Sequence, residues 1–357
     1  MVEVLLLCDN RISTIAPGAF EGLPSLMILD LKCNWISTIE KGTFTGLLSS
    51  LEELCLQNNS LSVVPDGVFE GMSLLSHLEL SGNQVSRLAA GTFKGLPALR
   101  YLRLYGNRIA AIDEGAFDGL SSLLELSLSS NCVSSRLSTG TFPGLSALTH
   151  LDISRSRIPA IDEGAFDDLS SLRELNLSGN CISSRVSTGI FKGLSALTLL
   201  DLSGNRIAAI DKGAFDDLSS LQRLNLSSNM ISSRLATGTF KNLSSLTHLY
   251  LDRNRVAAID VGAFDGLSSL YKLHLQGNWI SAIAKGTFQG VSALEQLHLD
   301  HNQIWTIEPG ALEGVFWLSD RDQEDSTDED ECRPIFYLFL AGNPICEEWG
   351  DDQYVAR

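Results

Sequence analysis

Basic residues are scarce in this chain. Its 357 residues include 26 Lys and Arg against 43 Asp and Glu, which gives a formal net charge of −17. Eight acidic residues and a single arginine lie between Asp320 and Glu331. The chain has no basic stripe, so its composition argues against nucleic-acid binding and predicts repulsion from anionic membrane surfaces.

Long apolar runs are also missing. The stretch from Ile335 to Ala341 is apolar, but it is far shorter than the roughly 20 residues that a membrane-spanning helix needs. No secretory signal precedes Val2, because the residues from Val2 to Asn10 already have the pattern of a repeat strand. We therefore expect no direct membrane contact from this chain.

No catalytic motif is recognisable. The sequence has no serine in a nucleophile elbow, no phosphate-cradling glycine loop, and no Cys or His spacing typical of structural zinc. Acidic pairs such as Asp113 with Glu114 and Asp162 with Glu163 recur at a fixed phase, which predicts a solvated face. We expect neither an enzyme nor a bound metal or cofactor.

What the chain does contain is a repeat. Asparagine recurs in steps of 24 or 25 residues, and Ser156 stands in the one gap. Ten or eleven residues after each asparagine comes a phenylalanine, preceded two positions earlier by glycine; this position takes 12 of the 15 phenylalanines, and Leu312 takes it last. The recurring asparagines are Asn10, Asn34, Asn59, Asn83, Asn107, Asn131, Asn180, Asn205, Asn229, Asn254, Asn278 and Asn302.

The frame L-x-x-L-x-L before each asparagine alternates apolar and polar residues, which is typical of a strand with one buried face. Strands at so long and constant an interval predict a parallel sheet in which each return segment closes one turn of a coil. The asparagine side chain can satisfy buried backbone groups where the chain leaves the strand. We therefore expect Asn205→Ala to destabilise the fold, and Ser156→Asn to be neutral or stabilising.

The segment LRYLRLYGNRIAAIDEGAFDGLSS resembles the 24-residue leucine-rich repeats of extracellular recognition proteins. Toll-like receptors, Slit-type proteins and variable lymphocyte receptors carry such repeats, and VVPDGVFEGM (63–72) is especially similar to the last of these. The resemblance covers about residues 2–343. It implies an α/β leucine-rich-repeat solenoid, a right-handed horseshoe with a parallel β-sheet on its concave face and a mostly irregular or short helical convex side.

The predicted organisation is one solenoid of about 14 repeats over residues 1–343, followed by an abbreviated C-terminal cap over 344–357. An acidic loop insertion at 319–335 splits the last repeat. A longer period of 49 residues relates segments such as NCVSSRLSTGTF and NCISSRVSTGIF, which indicates duplication of a two-repeat block. No N-terminal cap precedes the first repeat, so we expect an incomplete chain or one whose upstream part is lost.

Modification sites are few. The segment NPICEEW after Asn343 is similar to the start of the cysteine-rich caps of extracellular leucine-rich-repeat proteins. Cys332 and Cys346 are a possible disulfide that would tether the acidic loop to this cap, and Cys8 with Cys33 is a weaker candidate because the two lie one place out of register. Possible glycosylation sites are Asn58, Asn176, Asn225 and Asn242.

Histidine and tyrosine point to a binding face. All six histidines are predicted on outward positions of the strand segments, and they become more frequent toward the C-terminal third. A second, smaller patch is predicted at Tyr101, Arg103 and Tyr105. The main patch is predicted to contain His248, Tyr250, Asp252, Lys272, His274, His298, Asp300 and His301.

Three readings of the main patch stay open: a ligand-binding surface, a simple tolerance of histidine at outward positions, and a metal site using His274 and His298. If the patch binds a ligand, we expect affinity to change with pH near 6.5, the ordinary imidazole range.

The repeat scaffold favours a protein-binding recognition module. We expect the ligand-binding ectodomain, or a fragment, of a secreted or receptor-type protein, extracellular or at the cell surface, which binds a protein ligand through its concave sheet. The alternative is an intracellular, cytoplasmic scaffold or regulator of protein–protein interaction, which the absent signal peptide and unpaired-looking cysteines favour. The sequence identifies neither the ligand nor the oligomeric state.

Overall fold

The computed structural model describes residues 2–232, 234–313, 315 and 336–349. The chain divides into two compact units, the first made of Met1–Ile182 and Gly189–Leu197 and the second of Ser183–Thr188 and Thr198–Arg357. The predicted acidic insertion and Cys332 fall outside the described residues, and so does most of the predicted cap.

The first unit is built on parallel strands of three residues. Strands β5 and β7 are shorter and pair only with each other, and a 3-10 helix covers Thr45–Leu47. The remaining strands form the main sheet, in chain order. The strands are β1 (Val4–Leu6), β2 (Ile28–Asp30), β3 (Glu53–Cys55), β4 (His77–Glu79), β5 (Arg87–Leu88), β6 (Tyr101–Arg103), β7 (Ala111–Ile112), β8 (Glu125–Ser127), β9 (His150–Asp152) and β10 (Glu174–Asn176).

The second unit repeats this design. Its main sheet follows the order β11, β12, β13, β14, β16, β18, while β15 and β17 pair with each other. One α-helix, α1 (Pro344–Trp349), follows the last strand. The strands are β11 (Leu199–Asp201), β12 (Arg223–Asn225), β13 (His248–Tyr250), β14 (Lys272–His274), β15 (Ala282–Ile283), β16 (Gln296–His298), β17 (Thr306–Ile307) and β18 (Tyr337–Phe339). The parallel-sheet solenoid predicted from the repeat is confirmed.

Leucine and phenylalanine fill the core of both units. The central residue of nearly every main-sheet strand is a buried leucine, for example Leu102 in β6 and Leu249 in β13. The phenylalanines of successive coils stack almost parallel, with ring centroids 6.3 Å apart for Phe20 and Phe44 and 6.1 Å for Phe240 and Phe264. Each coil therefore buries its apolar edge only against its neighbours.

The asparagine ladder forms as predicted. Asn254 is typical: its Nδ2 donates to the carbonyls of Leu226 (2.9 Å) and Leu251 (3.1 Å), and its Oδ1 accepts the amide of Ile231 (3.1 Å). One side chain thus serves three backbone groups in the turn after the strand. Because these groups are buried, the ladder replaces hydrogen bonds that water would otherwise make.

Ser156 changes the ladder at one rung. Its hydroxyl donates to the Leu128 carbonyl at 2.9 Å and accepts the amide of Asn131 at 3.3 Å. In the neighbouring coils, the Oδ1 of each ladder asparagine accepts a backbone amide from the coil before it. That amide belongs to the residue two positions after the previous ladder asparagine, as Ile109 follows Asn107 and donates to Asn131. At this rung that amide belongs to the buried Val133, and none of the described residues accepts it.

The residue before each ladder position adopts a left-handed backbone, which the sequence analysis missed. Glycine fills this place in several coils, such as Gly277 with φ 67°, while Arg253 has φ 53° and His301 φ 52°. The glycine before each core phenylalanine is also left-handed, as Gly67 is with φ 68°. Glycine suits this second position because it adopts positive φ without a steric penalty.

The 49-residue period has a physical counterpart on the return segments. An arginine from every second coil pairs with an aspartate of the next coil, as Arg87 does with Asp113 (2.8 Å) and Arg136 with Asp162 (2.7 Å). The second unit repeats the pairing with Arg185–Asp211 (2.7 Å) and Arg234–Asp260 (2.8 Å). Asp113 and Asp162 thus pair with arginine on an exposed face, where such pairs contribute little stability.

Candidate protein-binding surface

The outward face of each main sheet carries columns of side chains. Each strand contributes its first residue to a first column and its third residue to a second column, on either side of the buried central residue. A third column follows two residues later, after the next buried leucine. In the second unit the second column runs Asp201, Asn225, Tyr250, His274, His298, Phe339 in exact lateral register.

Four members of this column form a continuous stack, here called the aromatic row: Tyr250, His274, His298 and Phe339. The ring centroids are 4.8 Å apart for Tyr250 and His274, 4.3 Å for His274 and His298, and 4.2 Å for His298 and Phe339. The last two pairs are within 7° of parallel. Adjacent parallel strands lie about 4.8 Å apart, so planar side chains in one column are brought into stacking contact by the register alone.

The first column flanks this row with further rings. The His248 ring lies 6.1 Å from Tyr271 and 6.2 Å from Tyr250, and the Lys272 Nζ lies 5.6 Å from the centre of the Tyr271 ring. Tyr337 packs beside Phe339 at 6.5 Å. The result is a surface of aromatic edges broken by one ammonium group.

The carboxylates predicted for this patch lie at its margin. Asp252 and Asp300 belong to the third column, with Gln276 between them. Asp300 Oδ2 is 3.8 Å from His298 Nδ1. Burial raises the pKa of Asp252, although the carboxyl is still partly exposed.

Two imidazoles of the patch, those of His248 and His274, have lowered pKa values. Burial, followed by His298 and Lys272, lowers the pKa of His274 to about 4. Burial, Arg223 and Lys272 also lower the pKa of His248. His274 itself therefore does not titrate near pH 6.5, because desolvation disfavours its charged form. The expected change of ligand affinity with pH stays a prediction.

The structure brings the predicted residues of the main patch together, with one exception. His248, Tyr250, Lys272, His274 and His298 occupy adjacent strands of one face. His301 was predicted on an outward strand position, but it lies in the exposed left-handed turn after β16. The inward–outward alternation of the strand ends before this left-handed residue. Counting along the strand therefore gave His301 the wrong place.

Sequence reasoning missed Tyr271, Tyr337 and Phe339. The signal for the last two was present, because YLFL (337–340) repeats the strand frame after the insertion. Because the insertion breaks the repeat, the sequence did not show which strand lies next to them. Only the pairing of β16 with β18 places Phe339 directly beside His298.

The smaller predicted patch lies in the first unit. The rings of His77 and Tyr101 stack at 4.5 Å. Arg103 reaches two carboxylates, Glu125 at 3.3 Å and Glu79 at 3.8 Å. Tyr105 belongs to the third column and is 47% exposed.

The predicted glycosylation sites differ in their surroundings. Asn242 is exposed on a return segment, with φ 72°, and Asn58 has φ 56° in a left-handed turn. Asn176 and Asn225 are half-buried in the second column, where each Oδ1 accepts the amide and the hydroxyl of the serine two residues on. Glycosylation stays a prediction at all four.

The described cysteines are free thiols: Cys8, Cys33, Cys55, Cys132, Cys181 and Cys346. This overturns the possible Cys8–Cys33 bond. The possible Cys332–Cys346 bond is untested, because Cys332 lies outside the described residues. Within those residues the Cys346 thiol donates to the Leu340 carbonyl at 3.1 Å.

Metal sites and membrane-spanning helices are not seen among the described residues. No group of three or more His, Cys, Asp or Glu side chains there is arranged to hold a metal ion, including around His274 and His298. None of the described helices has the length and apolarity that a membrane crossing requires.

Comparison with known proteins agrees with the repeat. Segments 2–49, 49–109, 104–158, 134–182, 183–231, 233–280 and 268–318 match the family model described as leucine rich repeat. A second leucine-rich-repeat model matches residues 171–194. Lumican from Gallus gallus is 39% identical over 71 residues, which are 20% of this chain and 20% of lumican.

Solved structures share the fold at low identity. A leucine-rich-repeat protein of Leptospira interrogans aligns with a TM-score of 0.71 at 23% identity, covering 96% of this chain and 91% of that chain. Toll, solved in the Drosophila Toll–Spatzle complex, gives a TM-score of 0.71 at 22% identity, covering 94% of this chain and 47% of the Toll chain. This chain thus spans about half of Toll and matches a fifth of lumican.

Proposed function

The chain belongs to the leucine-rich repeat family, and from this premise we propose that it is a recognition module that binds a protein ligand through the sheet face of its second unit. One observation carries the proposal, the aromatic row of Tyr250, His274, His298 and Phe339. Aromatic side chains are the usual anchors of protein interfaces.

The side chains of the row are not needed to fill the hydrophobic core. Buried residues such as Leu249, Leu273 and Leu297 already fill the space behind the sheet. Phe339 is 37% exposed, although a phenylalanine ring gains stability by leaving water. A partly exposed aromatic row that the fold does not need is typical of an interaction surface.

Stacking also prepares the row for binding. Each ring packs against the next at 4.2–4.8 Å, so little side-chain freedom remains to be lost when a partner covers the row. Lys272, Asp252 and Asp300 surround the row with charge of both signs. An apolar centre inside a polar rim is the usual anatomy of a protein–protein interface.

The finer proposal is that this module is the ectodomain, or a fragment, of a secreted or receptor-type protein. Toll is solved in a complex with Spatzle, and lumican and Toll support an extracellular or cell-surface place for this chain. The exposed Asn242 sequon is consistent with that place. Mass spectrometry of the protein isolated from its own cells tests this proposal, with glycan occupancy at Asn242 as the expected result.

An intracellular scaffold is the second candidate, because the described cysteines are free thiols. Secreted proteins normally oxidise such thiols, whereas the cytosol keeps them reduced. Unmodified sequons together with free thiols in the isolated protein would favour this candidate over the first.

The binding proposal is tested on an array of purified extracellular protein domains probed with the full chain. Tyr250→Ala, His274→Ala and His298→Ala are combined in one variant, and Ser127→Ala, Asp152→Ala and Asn176→Ala, from the same column of the first unit, form the matched control. We expect ligands of the wild type to lose about 100-fold or more in affinity for the first variant, since anchor residues cost about 2 kcal/mol or more each. The control variant should bind like the wild type.

Circular dichroism establishes that both variants are folded. If every ligand bound the aromatic-row variant as tightly as it binds the wild type, the proposed site would be wrong.

A further inference from the structure

The first unit contains a cavity that the proposed function does not use. Its volume is about 150 Å³. Glu53, His77 and Tyr101 border it from the first column, and Cys55, Glu79 and Arg103 border it from the second. Gln57, from the third column, and Leu78 complete the lining.

The cavity lies in a field of negative charge. Burial, and after it the carboxylates of Glu53, Asp30 and Glu79, raises the pKa of Cys55 to about 12. The thiol therefore stays protonated and donates to Glu53 Oε1 at 3.3 Å. The same three carboxylates that disfavour a thiolate favour a bound cation.

The cationic side chains already present do not pair with every carboxylate around the cavity. Arg103 contacts Glu79 and Glu125, and Lys32 contacts Asp30 at 3.2 Å. Among the described residues, Glu53 has no cationic partner. Its carboxylate is left to face the cavity with only the weak thiol donor of Cys55.

A second acceptor in the lining also lacks a hydrogen-bond partner. The Gln57 Oε1 is buried and accepts no hydrogen bond from the described residues, and the Ser81 hydroxyl beside it likewise has no partner. Leaving a buried polar group unpaired is costly. Gln57 also lines the cavity, so a ligand that only donates hydrogen bonds could relieve this cost.

The wall of the cavity selects a planar group. The stacked rings of His77 and Tyr101 are 17° from parallel and continue one column of the sheet. A guanidinium group packs on aromatic rings, carries only donors and pairs in two places with a carboxylate. An ammonium group offers neither the planar surface nor the two-point geometry.

We propose that this cavity binds an arginine side chain of a partner protein, with Glu53 and Gln57 accepting from the guanidinium and the His77–Tyr101 pair packing against its plane. The site is separate from the aromatic row, so it holds whether or not that row binds a ligand. It would give a partner a charge-selective contact on the sheet face of the first unit.

The test uses the full chain labelled with 3-fluorotyrosine, in which the fluorine resonance of Tyr101 is identified by Tyr101→Phe. The probe is Nα-acetyl-arginine methylamide, and the citrulline analogue is its uncharged match. We expect the Tyr101 resonance to titrate with the arginine probe at a dissociation constant on the order of millimolar, as for a single side chain. The citrulline analogue should bind at least about tenfold more weakly.

Variants assign the acceptors. Glu53→Gln and Gln57→Met should each weaken the arginine probe, by about tenfold for the charged acceptor and severalfold for the amide. Glu174→Gln removes a first-column glutamate away from the cavity and should leave binding unchanged. Should Glu53→Gln fail to fold, Glu79→Gln replaces it, because the glutamine oxygen can still accept the Ser81 amide that Glu79 accepts at 3.1 Å.

Equal titration by arginine and citrulline, or undiminished binding by a folded Glu53→Gln, would overturn the proposal. A lysine probe binding as tightly as the arginine probe would overturn the guanidinium assignment. The variant of Tyr250, His274 and His298 should titrate like the wild type, so this proposal and the proposed function fail separately.

Discussion

The second column of the sheet face differs between the two units, although the backbone beneath it is the same. In the first unit it holds polar residues such as Glu79, Arg103 and Asp152, which pair with charges on neighbouring strands or cap the following turn. In the second unit the last four positions are the aromatic row. Identical strand register thus produces an ion-pair network in one place and a ring stack in the other.

The comparison shows that core and face are independent in this fold. The leucines behind both columns are equally buried, 0% exposed for Leu126 and Leu249. A change of outward side chain therefore costs the core nothing. This freedom is the physical reason that a repeat sheet can specialise one region for binding while another keeps a polar surface.

The largest expected effect tests whether the cores really are equivalent. Leu126→Ala in the first unit and Leu249→Ala in the second should each destabilise the fold by about 2–5 kcal/mol. Hydrogen exchange monitored by mass spectrometry measures the local loss in each unit. A much smaller loss in one unit would break the equivalence and show that its core tolerates a cavity.

The asparagine ladder gives the next largest effect. Asn254→Ala leaves the Ile231 amide and the Leu226 and Leu251 carbonyls without their partner. We expect a loss of about 1–3 kcal/mol in the free energy of unfolding, the cost of buried unpaired groups. Urea unfolding provides the measurement. Equal stability of the alanine variant and the wild type would contradict the ladder.

The missing hydrogen bond at Ser156 in the first unit predicts a substitution that raises the stability of the fold. Ser156→Asn should supply an acceptor to the buried Val133 amide, as Asn131 does for Ile109. We expect stabilisation of about 0.5–1.5 kcal/mol, the net value of one hydrogen bond. Thermal unfolding compares it with Ser156→Ala, which should destabilise. A lower melting temperature for the asparagine variant would show that the coil has adapted to serine.

The smallest expected effect is a pH dependence of stability that arises from His274 in the aromatic row. The pKa of His274 is lowered from 6.5 to about 4 in the folded protein. The unfolded chain therefore takes up this proton first as pH falls, so the stability from neutral His274 is complete above pH 6.5 and is lost as pH falls toward 4. His274→Gln should flatten this part of the melting-temperature profile. Superimposable profiles of His274→Gln and the wild type would refute the assignment.

Much of the candidate surface was predictable, because a constant period places residues of equal phase side by side. Tyr250, His274 and His298 were correctly predicted as neighbours for that reason alone. Phe339 was not, since the insertion interrupts the count between β16 and β18. His301 was misplaced because a left-handed residue ends the alternation on which the prediction relied.

The sequence by itself determined the repeat, the strand register, the column to which each outward side chain belongs, and the gap in the ladder at Ser156. All of these depend on phase within a regular period, which is a local property. The tertiary structure alone decided that the rings stack, that His274 is held neutral, that Arg87 pairs with Asp113, and that Gln57 and Glu53 line one cavity. These properties depend on burial and on charges contributed by neighbouring coils, and no single repeat contains that information.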